Sequence, residues 1–324
     1  MSFDTLDTIY ESIQEDLVQV ENSLKSVGDV EPSWLAKMLN HTLKGSGKRI
    51  RPALTLLAGK FYRYNLTNLL PMATAIELMH TATLVHDDAI DNSFVRRNRP
   101  TVNKLWGKDK AVLLGDYLFG KAGEVVTNTQ SLKVVKLFSQ TIMIIAGGEL
   151  NQALSAFNLQ QKFEHYIHRI SSKTASLFSL ATESGAILSQ APESSTKALR
   201  EYGYNLGVGF QIVDDILDFT STEQELGKPI GSDLAQGTFT LPAMLLMARN
   251  PEDNPVKRIF EHENTEENIQ LAIELVRTSS IVEECYKVAS DYCSRASDNL
   301  KLLPDNITRQ ALSDLTNYVL SRRR

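Results

Sequence analysis

The chain is expected to be all-α, and three features of its sequence say so. Apolar residues recur at intervals of three and four through most of the 324 residues, the period that lines up one side of a helix. Runs that alternate apolar with polar, as a half-buried strand does, are nearly absent. Seventeen glycines and ten prolines are few for this length, since together they usually make up about 12% of a chain. Long helices are therefore favoured. Length alone allows two domains, but no repeat or low-complexity stretch divides the chain, and one domain of ten or more helices over residues 1–324 is expected.

Taken in order, Leu6, Ile9, Tyr10, Ile13, Leu17, Val20 and Leu24 form one helical stripe. A second starts at Pro71, where a proline suits the first turn of a helix. It continues through Met72, Ala75, Ile76, Met79, Ala82 and Thr83 to an acidic cluster at 87–91. Segments 111–127, 131–157, 163–188, 196–219, 239–248, 266–279, 281–301 and 307–321 repeat the pattern. Within 131–157, Met143 and Ile144 are expected to serve core packing, with a place on the floor of a cavity as the alternative. Breakers fall between the segments at Gly45-Ser46-Gly47, Asn98-Arg99-Pro100, Ala191-Pro192, Gly227-Lys228-Pro229 and Asn250-Pro251.

Lysine and arginine number 34 against 39 aspartates and glutamates, a net charge of −5. That balance argues against a nucleic-acid binder, which carries a basic face. Cys285 and Cys293 are too few for a disulfide framework or a zinc site and fit a reducing, intracellular setting. The acidic start, MSFDTLDTIYESIQEDL, is unlike a secretory signal or a transit peptide. No stretch of eighteen residues is free of charge, so no membrane span is expected. The expectation is a cytoplasmic protein that touches a membrane at most peripherally.

The most informative feature is a duplicated pattern. Asp87-Asp88-Ala89-Ile90-Asp91 and Asp214-Asp215-Ile216-Leu217-Asp218 both read Asp-Asp-x-x-Asp. Eighteen aspartates scattered at random would give about 0.05 copies. On a helix, residues i and i+4 share a face, so Asp87 projects with Asp91 and Asp214 with Asp218. Like charges at that spacing destabilise a helix by a few tenths of a kcal/mol per pair, and a bound cation removes that penalty. Oxygen ligands without nearby cysteine suit Mg²⁺, which keeps waters and bridges to a substrate's phosphates.

Three basic clusters fit a phosphate-bearing substrate. In Lys44-Gly45-Ser46-Gly47-Lys48-Arg49-Ile50-Arg51-Pro52, glycines beside Lys48 and Arg51 let backbone and cations approach a phosphate closely. Thr42 and Arg49 stand where a nucleotide P-loop needs Gly and Ser or Thr, so that motif is rejected. Arg96-Arg97-Asn98-Arg99 follows the first acidic motif, and Lys228 with Asp233 follows the second. His80 lies two turns before Asp87 on nearly the same face. Lys173-Thr174 interrupts an apolar helix with a charge that has no obvious partner in sequence, and Arg322-Arg323-Arg324 reads as a frayed polar tail.

At these residues the chain resembles the trans-type polyprenyl diphosphate synthases over about residues 40 to 245. The resemblance rests on Gly47-Lys48-Arg49-Ile50-Arg51-Pro52, Leu84-Val85-His86-Asp87-Asp88-Ala89-Ile90-Asp91, Arg96-Arg97 and Gly115-Asp116-Tyr117-Leu118. It continues through Gly148-Glu149, Lys173-Thr174 and Gly209-Phe210-Gln211-Ile212-Val213-Asp214-Asp215-Ile216-Leu217-Asp218. The stretch from Leu226 to Asp233-Leu234, with Gly237 and Leu241-Pro242, is most like the catalytic component of two-subunit heptaprenyl diphosphate synthases.

The resemblance implies an all-α bundle around a central cavity, working as a homodimer or with a small accessory subunit. It implies a chain-elongating transferase that joins isopentenyl diphosphate to an allylic diphosphate such as farnesyl diphosphate. Asp87, Asp91 and Asp214 would hold Mg²⁺, roughly three ions with substrate bound, with Asp88, Asp215 and Asp218 in support. Arg96, Lys173 with Thr174, Gln211 and Lys228 would contact the allylic diphosphate. Lys48, Arg51, His80 and Arg97 would hold that of isopentenyl diphosphate. Three positions depart from the family pattern: Thr238 replaces a common lysine, and Asn98 and Ser46 replace common glycines.

Product length is expected to follow the helix below Asp87. In the family that the chain resembles, a bulky aromatic near positions 82 and 83 closes the tunnel early; here Thr83 and Ala82 are small, and Met79 and Ile76 lie further down. Ile76 is about 16 Å below Asp87 at 1.5 Å per residue, room for a product of roughly C30 to C40, as a quinone tail needs. Three rival readings stand beside this one. A shorter-chain synthase keeps both motifs. A terpene cyclase would not need a second diphosphate site. A non-catalytic helical subunit would have lost the acidic motifs.

Overall fold

A computed structural model describes residues 6–44, 47–223, 229–263 and 265–322. The described residues form helices and a single two-rung β-hairpin. In chain order the helices are α1 (Leu6–Ile9), α2 (Gln14–Ser26), α3 (Ser33–Leu43), α4 (Ile50–Gly59) and α5 (Leu66–Ile90). Then come α6 (Val102–Trp106), α7 (Lys108–Thr127), α8 (Leu132–Leu154), α9 (Phe163–Ile170), α10 (Ser176–Leu188) and α11 (Glu193–Thr220). The remainder is α12 (Ser232–Ala235), α13 (Leu241–Arg249), α14 (Pro255–Phe260), α15 (Thr265–Arg277), α16 (Ile281–Leu300) and α17 (Ile307–Ser321).

Helices α4, α5, α10 and α11 form the centre. Their buried residues lie on every side, as expected of helices enclosed by others. Helix α11 packs on α10 and α16, α5 on α7 and α4, and α10 on α4. The outer helices bury one stripe each: α16 turns Ile281, Cys285, Ala289, Cys293, Ala296 and Leu300 inward, a three-and-four spacing. One hydrophobic core runs continuously from Ile9 to Val319.

The structure departs from the sequence expectations at five places. The first stripe is not one helix: α1 ends at Ile9 and a 3₁₀ turn over Glu11–Ile13 precedes α2. Tyr10 is buried at this break, and its hydroxyl donates to the Lys48 carbonyl at 3.2 Å, so a tertiary contact overrides the local period. Helix α5 begins before Pro71, at Leu66, because the Asn65 side chain caps it by accepting from the Thr67 N–H at 3.0 Å. Pro71 therefore sits in the second turn. The segment 163–188 is interrupted by a π-turn at Ser171–Ala175.

Residues 95–100 pair as a hairpin, Val95 opposite Pro100 and Arg96 opposite Arg99. Arg97 and Asn98 take φ of 50° and 58°, the type I′ pattern that matches strand twist. Asparagine tolerates this left-handed region, so Asn98 does the work of a glycine there. Lastly, Met143 and Ile144 are not core residues: they are 73% and 49% exposed. They lie on the face of α8 that the bundle leaves uncovered.

Candidate active site

A cavity of about 2120 Å³ opens between the C-terminal half of α5, the start of α4, the hairpin, the π-turn, the C-terminal half of α11, α12 and the end of α17. Its wall gathers Lys48, Arg51, His80, Thr83, Asp87, Asp91, Arg96, Arg97, Lys173, Thr174, Gln211, Asp214 and Asp215. Asp88, Asp218, Ala82, Met79 and Ile76 are buried behind that wall. Lys228 lies outside the described residues. Thr238 is on the wall, its N–H donating to the Asp233 carbonyl at 2.8 Å.

The first acidic motif closes α5. Asp87 pairs with the Lys173 ammonium at 3.2 Å, and Lys173 pairs with Glu149 of α8 at 2.8 Å. Lys173 thus has two partners that its local sequence does not reveal. The π-turn carries it: a π-turn adds a residue to the helical turn and displaces the side chains around it. Gly148 lets α8 come close, since a Cβ there would lie 2.6 Å from that of Ser172. Burial opposes the Lys173 charge, but Asp87 and Glu149 outweigh it and hold the ammonium above its ordinary pKa. Burial, reinforced by Asp87 and Glu149 and opposed by Lys173 and Arg96, pushes the Asp91 carboxyl up to about 6. Asp88 turns away and accepts from Arg96 Nε at 2.8 Å, tying the hairpin to α5.

The second motif lies in the last two turns of α11. Asp214 pairs with Arg322 Nη2 at 2.8 Å, and the guanidinium stacks on Phe210 with its Cζ 4.4 Å from the ring centre. Arg322 is therefore not part of a frayed tail; residues 323–324 lie outside the described residues. Asp215 is 3% exposed. It accepts from the Tyr166 hydroxyl at 2.8 Å and from Gln211 Nε2 at 2.9 Å, while the Thr174 hydroxyl donates to Gln211 Oε1 at 2.6 Å. Burial, with Asp233 nearby, lifts Asp215 to about 7, although the Gln211 and Tyr166 hydrogen bonds pull the other way. Asp218 does not share the cavity with Asp214. It accepts from Ser232 Oγ at 3.2 Å and from the Asp233 N–H at 3.3 Å, fixing the start of α12 after Gly231, whose φ is +71°.

The opposite wall is cationic. Lys48 lies over the Tyr318 ring at 5.5 Å and Arg51 over Phe178 at 5.1 Å. Arg51 Nε is buried without a hydrogen-bond partner from the protein, which is rare for a buried polar group. Burial lowers the Arg51 pKa to about 10, with Arg97 adding to the effect and Glu77 and Asp214 opposing it. His80 is held well below its usual pKa by burial and by Arg51, Arg97, Arg96 and Arg49, so it stays neutral. Between Lys48 and Arg51, Arg49 takes φ +48°, a conformation that costs a non-glycine residue about 1 kcal/mol. Its guanidinium donates to Glu77 at 2.6 Å and to Glu21.

Sequence reasoning missed Glu149, Tyr166, Glu77, Arg49 and Arg322 as parts of this site. The charge inside an apolar helix points only to the existence of partners for Lys173, and the motifs Gly148-Glu149 and Gly47 to Pro52 contain Glu149 and Arg49 without giving them a role. Asp87, Asp91 and Asp214 offer oxygen alone. Among the described residues, no three His, Cys, Asp or Glu side chains converge closely enough to enclose an ion. A cation there needs oxygens from elsewhere, and Mg²⁺ typically takes them from one or two carboxylates, waters and a substrate's phosphates. The residues fit that ion.

Residues 32–276 match the family model described as polyprenyl synthetase. The chain is 36% identical over 314 residues to heptaprenyl diphosphate synthase component 2 of Bacillus subtilis (strain 168), covering 97% of this chain and 90% of that one. It is 36% identical over 326 residues to solanesyl-diphosphate synthase 2, chloroplastic, of Oryza sativa subsp. japonica, covering 98% and 80%. Among solved structures, the polyprenyl synthase of Caulobacter crescentus CB15 complexed with calcium and isoprenyl diphosphate superposes with a TM-score of 0.95. It is 32% identical, with all of both chains covered. The chain belongs to the polyprenyl synthetase family and is a prenyl-transferring enzyme with the family's all-α fold. Among the described residues, no helix is long and apolar enough to cross a membrane.

Proposed function

From that family membership and this site, we propose that the chain elongates an allylic diphosphate such as farnesyl diphosphate with isopentenyl diphosphate. The product is a polyprenyl diphosphate of roughly C30 to C40, made by one domain. One observation carries the reading: carboxylates from two distant motifs and two sets of cations face a single cavity. That arrangement suits two diphosphates, one neutralised through metal and one through side chains directly.

Asp87, Asp91 and Asp214 would hold Mg²⁺, which would supply charge neutralisation for the leaving diphosphate. Arg96, Lys173, Gln211 and Lys228 orient that diphosphate, and Thr174 positions Gln211. Lys48, Arg51, Arg97 and the neutral His80 hold the second diphosphate. The allylic C–O bond breaks, the isopentenyl double bond attacks the resulting cation, and the released diphosphate takes the proton lost from the new chain. The protein's part is orientation and electrostatic stabilisation rather than acid–base chemistry. The growing chain passes Thr83 on the cavity wall; Ala82, Met79 and Ile76, none of them aromatic, are fully buried behind that wall and must move apart to admit a longer chain.

The same reading places a second copy of the chain on α7 and α8. Met143, Leu150 and Leu154 form an exposed apolar stripe with Gly147, and Leu113 and Tyr117 are exposed on α7. Gly120 and Gly123 border open space, which allows close helix approach. The test is to incubate the purified chain with Mg²⁺, farnesyl diphosphate and labelled isopentenyl diphosphate and to size the product. A ladder ending in one long species supports the reading. No incorporation with farnesyl, geranyl or geranylgeranyl primers points instead to a missing accessory subunit or a non-catalytic chain.

A further inference from the structure

The cationic wall contains one side chain whose charge is already taken by the protein. Lys48, Arg49 and Arg51 are near neighbours in sequence, and two of them are free to meet an anion in the cavity. Arg49 is instead engaged by Glu77 on α5 and Glu21 on α2, at 2.6 Å to the first. Its left-handed backbone, φ +48° and ψ 34°, turns it back toward these acids. The Tyr10 hydroxyl anchors the adjacent Lys48 carbonyl, and the Arg49 carbonyl accepts the first helical bond of α4 from Ala53 at 3.0 Å. The loop carrying Lys48 and the helix carrying Arg51 are therefore fixed through this one residue.

Glu77 is the other half of the argument. It is 6% exposed and lies one turn before His80 on α5. It also sits within electrostatic reach of Arg51 and Arg97, whose charged forms it supports. A buried carboxylate in a phosphate-binding cluster competes with the phosphate for the same cations. Arg49 removes that competition by taking the Glu77 oxygen, and Arg51 Nε is left without a protein acceptor.

We infer that Arg49 is a positioning residue: by clamping Glu77 and Glu21 it keeps Arg51 and Arg97 available for the diphosphate of isopentenyl diphosphate. This rests on the assignment of that substrate to the cationic wall. The test is calorimetric binding of isopentenyl diphosphate and, separately, of farnesyl diphosphate with Mg²⁺, to the full chain and three variants. Thermal unfolding is followed to choose a temperature at which all are folded. Arg49→Gln weakens isopentenyl diphosphate by at least about tenfold, as loss of a charged hydrogen bond to its cations would, and leaves farnesyl diphosphate within about twofold. Arg49→Gln with Glu77→Gln recovers much of that loss, because the competing anion is gone. Arg49→Gly, which relaxes the backbone but removes the clamp, stays weak.

Three results overturn the inference: an Arg49→Gln chain that binds isopentenyl diphosphate normally, equal loss of both ligands, or a double variant no better than the single. A wild-type chain that binds farnesyl but no isopentenyl diphosphate sinks the parent assignment, and the inference with it. Normal wild-type binding with any of the three results sinks the clamp alone.

Discussion

The two acidic motifs share a pattern and little else. At the first, each of the leading aspartates meets a cation: Asp87 meets Lys173 of the distant π-turn, and Asp88 meets Arg96 of the hairpin that follows α5. At the second, Asp214 meets Arg322 of α17's C-terminal end. Asp215 is held by the neutral donors Tyr166 and Gln211, and Asp218 is spent on the backbone of the following loop. Equal spacing on a helix therefore leads to unequal roles. The first motif is built into a charge network with the hairpin and the π-turn. The second is framed by hydrogen bonds and capped by the end of the chain.

The comparison can be broken first at the cavity carboxylates. Asp87→Ala and Asp214→Ala are each expected to lower turnover by about a thousandfold, the scale of losing charge stabilisation at a reacting diphosphate. Steady-state incorporation of labelled isopentenyl diphosphate measures it, and near-normal rates at either variant remove that motif from the metal site. Next comes the packing that delivers Lys173. Gly148→Leu drives a side chain into Ser172 and is expected to lower stability by about 2 kcal/mol, as overpacking does. Urea unfolding reports the stability, and a raised KM for the allylic substrate reports the displaced Lys173.

The middle aspartates sharpen the contrast. Asp215→Asn keeps one acceptor oxygen but sets its amide NH2 against the other of the two donors, Tyr166 or Gln211, and is expected to cost about 2 kcal/mol, as a buried donor left unpaired does. Asp88→Asn loses a charged partner for Arg96 and is expected to cost about 1 kcal/mol, reduced because Arg96 is partly exposed. Equal losses in urea melts would mean that the two environments do not differ in effect.

The pH dependence has a definite sign. Asp91 and Asp215, at about 6 and about 7, lie above the ordinary value near 4. Between that value and theirs the folded chain binds more protons than the unfolded one, so their contribution to stability declines as pH rises from about 4 to about 7. Below pH 4 the contribution is fully present. Thermal melts of metal-free protein should show this decline, and Mg²⁺, which favours the carboxylates, should flatten it. The smallest effect belongs to Arg322. Arg322→Gln removes the cation that occupies Asp214, and Mn²⁺ binding followed by electron paramagnetic resonance should tighten by about two- to fivefold. Unchanged affinity would mean the ion pair opens without cost.

Much of the fold was legible because helix periodicity is local. Segments 281–301 and 307–321 differ by at most one residue from α16 and α17. The errors came where a distant contact prevailed. Tyr10 breaks the first stripe to reach Lys48, Asn65 starts α5 ahead of Pro71, and the π-turn interrupts a run that reads as continuous helix. Met143 and Ile144 look like core residues because apolar spacing identifies a face without saying what covers it.

The sequence by itself determined the helices and the spacing of the two carboxylate triplets, since both depend on residues within a few positions of one another. It also determined that three basic clusters accompany them. Only the tertiary structure decided which carboxylate meets which charge. Lys173 reaches Asp87, Arg322 reaches Asp214 and Glu77 reaches Arg49 across long stretches of chain. Such pairings depend on how packed helices place side chains in space, and no local period records that.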